Sequence, residues 1–167
     1  MSRPASSSAH PWQIRAAAEG DIAGIIPLLN EVQTLHHLAE PDIFVPSSRV
    51  QSPDAEIRGW LADPACLMWV AVEDDTVLGV LLLKQTAAHS PKVIKCLAGN
   101  IEAVAVKEGW RSQGIGRSLL EHAEQVAAEL GWQRLSLKVW EFNQRAVGLY
   151  EKAGYRTAQR MLIKDLR

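Results

Sequence analysis

Residues 101–117 constrain this chain more than any other stretch, because they read as a buried strand, a glycine-containing loop and the start of a helix in unbroken succession. Ile101-Glu102-Ala103-Val104-Ala105-Val106 is short, apolar and partly β-branched. Beyond Gly114, the residues Ile115, Leu119, Leu120, Ala123, Val126, Ala127 and Leu130 recur on one helical stripe. The loop between them therefore ends at a helix N-terminus, where the first backbone N–H groups lack intrahelical partners and the dipole is positive. An anion over residues 114–116 would meet several donors at once. Gly114 and Gly116 let it come close, since neither carries a Cβ, and Arg111 and Arg117 flank the turn as cations. A nucleotide P-loop is excluded by the absence of Gly-x-x-x-x-Gly-Lys-Ser/Thr, and the spacing of Gly109 and Gly114 does not fit a dinucleotide fingerprint. Taken alone, the pattern also suits a softened strand-to-helix turn with solvated arginines.

The rest of the chain supplies one domain around that unit. With 167 residues, 47% of them hydrophobic, it is long enough for a full core and too short for a second domain. A net charge of −1 argues against a nucleic-acid or membrane-surface binder that works through bulk charge. Cys66 and Cys96 are too few for a disulfide scaffold, no Cys/His cluster has zinc-like spacing, and both read as reduced thiols. No apolar run approaches a bilayer span and residues 1–10 lack a signal-peptide core, so a cytoplasmic protein is expected, with residues 1–11 as a disordered tail and 12–167 as the domain.

In order, residues 12–17 alternate as a first strand, and a helix follows with Ile22, Ile25, Ile26, Leu29 and Val32 on its apolar face. Pro27 should kink or restart it. Residues 34–49, with His36, His37, Pro41, Phe44 and Pro46, are part helix and part loop, in the position of a lid. Residues 54–61 form a short helix behind Pro53, and 67–73 with 77–85 form an antiparallel hairpin about residues 74–76. Residues 89–99 make a polar connection containing Pro91, Lys92 and Lys95. Gly131 sits where a C-terminal cap belongs, 135–140 alternate as another strand, Asn143 caps a helix bearing Ala146, Val147 and Tyr150, and Gly154 ends it. A final strand is expected near 161–164. The sum is an α/β fold with an antiparallel meander early and a strand-helix-strand-helix unit late.

Residues 101–106, then Arg111-Ser112-Gln113-Gly114-Ile115-Gly116, then Asn143, Ala146, Tyr150 and Gly154-Tyr155, resemble the GNAT superfamily of N-acetyltransferases in both order and spacing. The outline covers residues 14–164, with motif-level detail in 101–155. The resemblance implies a mixed, mostly antiparallel central sheet flanked by helices, with a strand-helix-strand core that binds acetyl-CoA. It implies Val104, Ala105 and Val106 against the pantetheine arm, residues Arg111, Ser112, Gln113, Gly114, Ile115, Gly116 and Arg117 around the pyrophosphate, and Asn143 and Ala146 against the cofactor from the following helix. Glu102 stands where several members carry a general base, and Tyr150 at the usual general-acid position. The implied partners are acetyl-CoA and an amine acceptor, with no metal, nucleic acid or membrane, and pairing into a homodimer is compatible with it.

The residue chemistry agrees. A primary amine of pKa about 10.4 is mostly protonated at neutral pH, so acyl transfer to it needs a proton acceptor, which Glu102 can be, directly or through water. Strict alternation puts Glu102 on one face with Val104 and Val106, beside the thioester, with the Val104 N–H placed to hold the oxyanion. The departing thiolate, of pKa about 8.5, can take a proton from a phenol such as Tyr150. Neither cysteine lies in a motif for an acyl-enzyme, so direct transfer in a ternary complex is expected. The expected acceptor is a small-molecule primary amine. A protein N-terminus or lysine, or a silent acyl-CoA-sensing module, are the alternatives. Glu102 could instead be a solvated strand-end charge, Tyr150 a packed helix tyrosine, and His36 and His37 ordinary helix residues.

Overall fold

The computed structural model describes residues 11–86 and 97–166. Five strands form one sheet in the order β1-β2-β3-β4-β5: β1 (Gln13–Ala16), β2 (Cys66–Glu73), β3 (Thr76–Thr86), β4 (Ala98–Val106) and β5 (Arg134–Leu137). Neighbours from β1 to β4 are antiparallel, and β4 and β5 are parallel. Helices α1 (Ile22–Ala39), α2 (Pro53–Ala62), α3 (Ile115–Glu129) and α4 (Gln144–Lys152) cover its two faces. This is the mixed, mostly antiparallel sheet with a late strand-helix-strand unit that the sequence implies.

Alternation along the central strands divides the core in two. Met68, Val70, Val80 and Leu82 pack with Ile25 and Leu28 of α1 and Ile57 of α2. Trp69, Ala71, Leu81 and Leu83 pack with Ile115, Leu119, Leu120 and Ala123 of α3. Because β2 and β3 are covered on both sides, they are apolar at nearly every position. Gly79 makes the close approach of α3 possible: an added Cβ would lie 2.9 Å from Ile115 Cγ2 and 3.1 Å from Leu119 Cδ1.

The helix does not restart at Pro27 but continues through it for 18 residues in all. Pro27 is exposed and stands little more than a turn inside the helix, so the carbonyl it leaves unpaired, on exposed Ala23, is open to water. The final strand near 161–164 does not form: residues 155–166 carry no regular structure, and Met161 and Leu162 are 71% and 91% exposed. The segment pairs with none of the five described strands, and the sheet ends at β5. The 1–10 tail, most of the polar 89–99 connection and Cys96 lie outside the described residues.

Candidate active site

The sheet comes apart where the expected site begins. β5 pairs with β4 from Ala98↔Arg134 to Ile101↔Leu137 and no further. From Glu102 to Val106 the β5-facing edge of β4 therefore has no described strand beside it, and apart from the Val106 carbonyl, which accepts from Arg111, its backbone donors and acceptors can pair with an added chain.

β4 also carries a bulge at this point. Leu82 pairs with Ala103 and the next residue, Leu83, with Ile101, which leaves Glu102 as the extra residue. Alternation across it is broken: Ile101, Val104 and Val106 pack on the α3 side, whereas Ala103 and Ala105 pack on the α1 side. The expectation that Glu102 shares a face with Val104 and Val106 is thereby corrected. Glu102 is exposed, and its Oε1 accepts a 2.9 Å bond from Nδ2 of Asn100, two residues earlier on the opposite face from Ile101. Asn100 is itself held, since Ser136 Oγ, its register partner on β5, donates to Asn100 Oδ1 at 3.1 Å. Composition and motif give no hint of Asn100 and Ser136, because the register that joins them is a tertiary property.

The loop after β4 leads through a short 3₁₀ turn (Glu108–Trp110) into α3. Ser112 adopts a left-handed φ of 64° and Gly114 one of 92°, and these two reversals curl the chain around its own amides. Among the described residues, none of the backbone N–H groups from Ser112 to Arg117 has a protein acceptor. Nothing lies within 4 Å of where a Gly114 Cβ would stand, so the concavity is open. Gly116 serves a second purpose: an added Cβ would lie 3.2 Å from Leu149 Cδ2, so its absence lets α4 pack against the start of α3. Ile115 and Ala105 are both buried, and each offers the site only its backbone.

The arginines near the loop have different partners in the protein. Arg111 donates from Nε to the Val106 carbonyl at 2.8 Å and from Nη2 to Glu31 of α1 at 2.5 Å, so it braces the loop against α1. Arg117 pairs with Glu121 one turn along α3, at 2.8 Å. Arg145 of α4, not singled out from the sequence, reaches the rim of the cup with Nη2 3.3 Å from Ser112 Oγ. Gln113 donates back to Gly109 at 3.2 Å.

On α4, Asn143 Oδ1 accepts from the Ala146 N–H at 3.1 Å, so both side chain and amide serve the cap. Tyr150 is largely buried beside Tyr155, ring centroids 6.1 Å apart, and burial pushes its phenol above the usual range. Cys66 is buried, with Asp63 next to its sulfur, and both push the thiol up, which makes it a poor nucleophile.

Four rings gather at the loop after α1. His36 stacks on Phe44 at 4.8 Å and meets Phe142 edge-on at 5.6 Å, while Trp140 meets Phe44 at 5.1 Å. His37 donates from Nδ1 to the Phe44 carbonyl at 2.7 Å, and Gln33 Nε2 to the Val45 carbonyl at 2.6 Å. Burial lowers the pKa of His36 and favours its neutral form. A separate concavity of about 380 Å³ lies in the loop itself, lined by His37, Pro41, Ile43, Phe44 and Arg49, and is distinct from the amide cup.

Among the described residues no helix is long and apolar enough to cross a membrane, and no three His, Cys, Asp or Glu converge as a metal site would require.

An unpaired strand edge, an open ring of amides and a capped following helix together form the strand-loop-helix unit to which known proteins can be compared. Residues 32–155 match the Acetyltransferase (GNAT) family. The chain belongs to that family. This GNAT chain is 34% identical over 115 residues to the peptidyl-lysine N-acetyltransferase YjaB of Salmonella typhimurium, a match spanning 67% of each protein. It is 37% identical over 54 residues to the thialysine N-epsilon-acetyltransferase of Bos taurus, covering 32% of each. The BH1408 protein of Bacillus halodurans, solved as a tetramutant, superposes with a TM-score of 0.86 over 92% of this chain and 99% of that one, at 22% identity. GNAT enzymes take the acetyl group from acetyl-CoA, which makes this protein an acyltransferase by family.

Proposed function

We propose that this protein transfers the acetyl group of acetyl-CoA directly to a primary alkylamine of a small molecule. The observation that carries the reading is the adjacency of the open edge of β4 and the unoccupied amides of 112–117: one can pair with the amide-bearing arm of CoA, the other with its diphosphate. The acyl end of such an arm comes to the part of β4 where Glu102 bulges out. There the Val104 N–H is the candidate donor to the oxyanion, Glu102 takes the amine proton directly or through water, and Tyr150 protonates the leaving thiolate. The bulge gives that assignment a geometry, because Glu102 faces the α1 side while Val104 and Val106 face α3. Amine and thioester can thus approach from opposite faces of the split sheet.

The hydrogen bonds that tie residues 44–47 to α1, with the ring cluster, hold that loop in place, and a fixed loop supports a compact acceptor. A second reading, a lysine side chain of a protein, is favoured by the name of the Salmonella relative. Thialysine, named in the bovine relative, offers the same kind of amine as a free molecule. The test is release of CoA over a panel of free lysine, thialysine, linear diamines and lysine-containing peptides. Faster turnover of the free amines supports the proposal, turnover of peptides alone selects the second reading, and CoA binding with no turnover of any acceptor leaves a sensor.

A further inference from the structure

Three arginines stand near the amide cup, and they differ in what already neutralises them. The Arg111 guanidinium spends Nε on the Val106 carbonyl and Nη2 on Glu31, and its side chain is only 31% exposed. Turning Nε or Nη2 to a phosphate would break the brace between the loop and α1. Arg117 is paired with Glu121 on the exposed side of α3, so a carboxylate already stands beside its guanidinium and offsets part of its charge. Arg145 has no carboxylate within ion-pair distance among the described residues, and its one hydrogen bond is to Ser112, a member of the cup.

The placement of Arg145 follows from the packing of α4. Leu149 backs onto Gly116, and Arg145, one turn earlier on α4, meets Ser112, the same interval before Gly116. The starts of α3 and α4 thus lie side by side, with the two helix N-termini and an uncompensated guanidinium on one rim. A guanidinium with a single neutral partner beside several unpaired amides matches a doubly charged, multi-oxygen anion better than water does.

We propose that Arg145 is the side chain that neutralises the diphosphate of acetyl-CoA, and that Arg111 is a positioning residue which holds the loop and touches no phosphate. This rests on the reading of the cup as the cofactor site. Titration calorimetry of CoA and of 3′-dephospho-CoA into wild-type protein and into Arg145→Ala, Arg145→Lys and Arg145→Glu tests it, with circular dichroism as a check that each variant is folded. The expected result is a loss of affinity of about tenfold or more in Arg145→Ala, equal for the two ligands, smaller in Arg145→Lys and larger in Arg145→Glu. The salt dependence of binding should also become shallower in Arg145→Ala. Unchanged affinity in Arg145→Ala, with wild type binding CoA, overturns the proposal and leaves the cofactor site standing. A loss seen with CoA but absent with 3′-dephospho-CoA overturns the diphosphate assignment in favour of the 3′-phosphate. If wild type binds neither ligand, the reading of the cup fails, and the proposal with it.

Discussion

Arg111, in the loop after β4, is paired with Glu31, in the middle of α1, across 80 positions of sequence. That bond joins the element that shapes the cofactor loop to the helix that borders the acceptor side. Because both side chains are about one-third exposed, solvent weakens the pair, and replacing Arg111 by Ala should cost about 1–2 kcal/mol, including the lost bond to the Val106 carbonyl. Glu31→Gln should cost less, since Gln can still accept from the guanidinium. Thermal melts of the two variants check the order.

Gly114 takes a φ of 92° in open space, so conformation and not crowding restricts this site in the free protein. Gly114→Val combines a strained backbone with a side chain standing in the cup. Acetyl-CoA affinity should fall by more than about a hundredfold, and the melting temperature by only a few degrees. Gly114→Ala should fall between, as calorimetry would show.

Tyr150→Phe should leave acetyl-CoA affinity unchanged and lower kcat by about a hundredfold, the usual scale for a lost proton donor. Because burial raises its pKa above the model-compound value of 10.0, the phenol stays protonated through the neutral and mildly alkaline range. The rate should therefore climb with pH as the acceptor amine deprotonates, with no alkaline decline below about pH 10. A wild-type pH-rate profile falling from pH 8 would contradict the assignment.

Asn100 holds one oxygen of Glu102 and is held by Ser136. Asn100→Ala should free the carboxylate to rotate and lower kcat by about tenfold, with little change in acetyl-CoA affinity. Asn100→Asp should be worse, because it replaces a donor by a like charge. Steady-state kinetics with binding measured separately would distinguish this from simple loss of fold.

Stability should fall in acid through Asp21. Its carboxylate accepts two bonds from Arg15, at 2.7 and 2.8 Å, and one from the Ala18 amide at 2.8 Å, and the Arg15 bond foremost lowers its pKa. A depressed carboxylate stabilises the fold above the unfolded pKa of about 3.9 and loses that contribution as pH drops through the folded value. Asp21→Asn should cost about 1–2 kcal/mol at pH 7 and progressively less as the pH falls below about 3.9, as paired denaturant titrations would reveal.

Most of the architecture was legible because local chemistry and tertiary position agree. Gly131 and Gly154 do sit at left-handed φ just beyond α3 and α4, Asn143 does cap α4, and the two-aspartate turn does join β2 to β3. The exceptions share a cause. Whether Pro27 breaks α1 depends on which way its orphaned carbonyl faces, and whether 161–164 pairs depends on where the chain lies against the sheet. The side of the sheet that Glu102 occupies depends on a one-residue register slip against β3. Arg145 and Asn100 carry no sequence signal because their partners are 33 and 36 positions away. The cup itself was readable because its donors are backbone atoms, whose direction is set by the start of α3 and not by distant contacts.

The fork between β4 and β5 has a mechanical consequence. An arm that hydrogen-bonds along β4 past Ile101 would act as a staple where the two prongs are no longer paired. Cofactor should then enter first and stiffen the wedge, and the amine should meet a finished cleft only afterwards. Amide exchange along β4 slowed by acetyl-CoA, but not by acceptor alone, would mark that order of arrival.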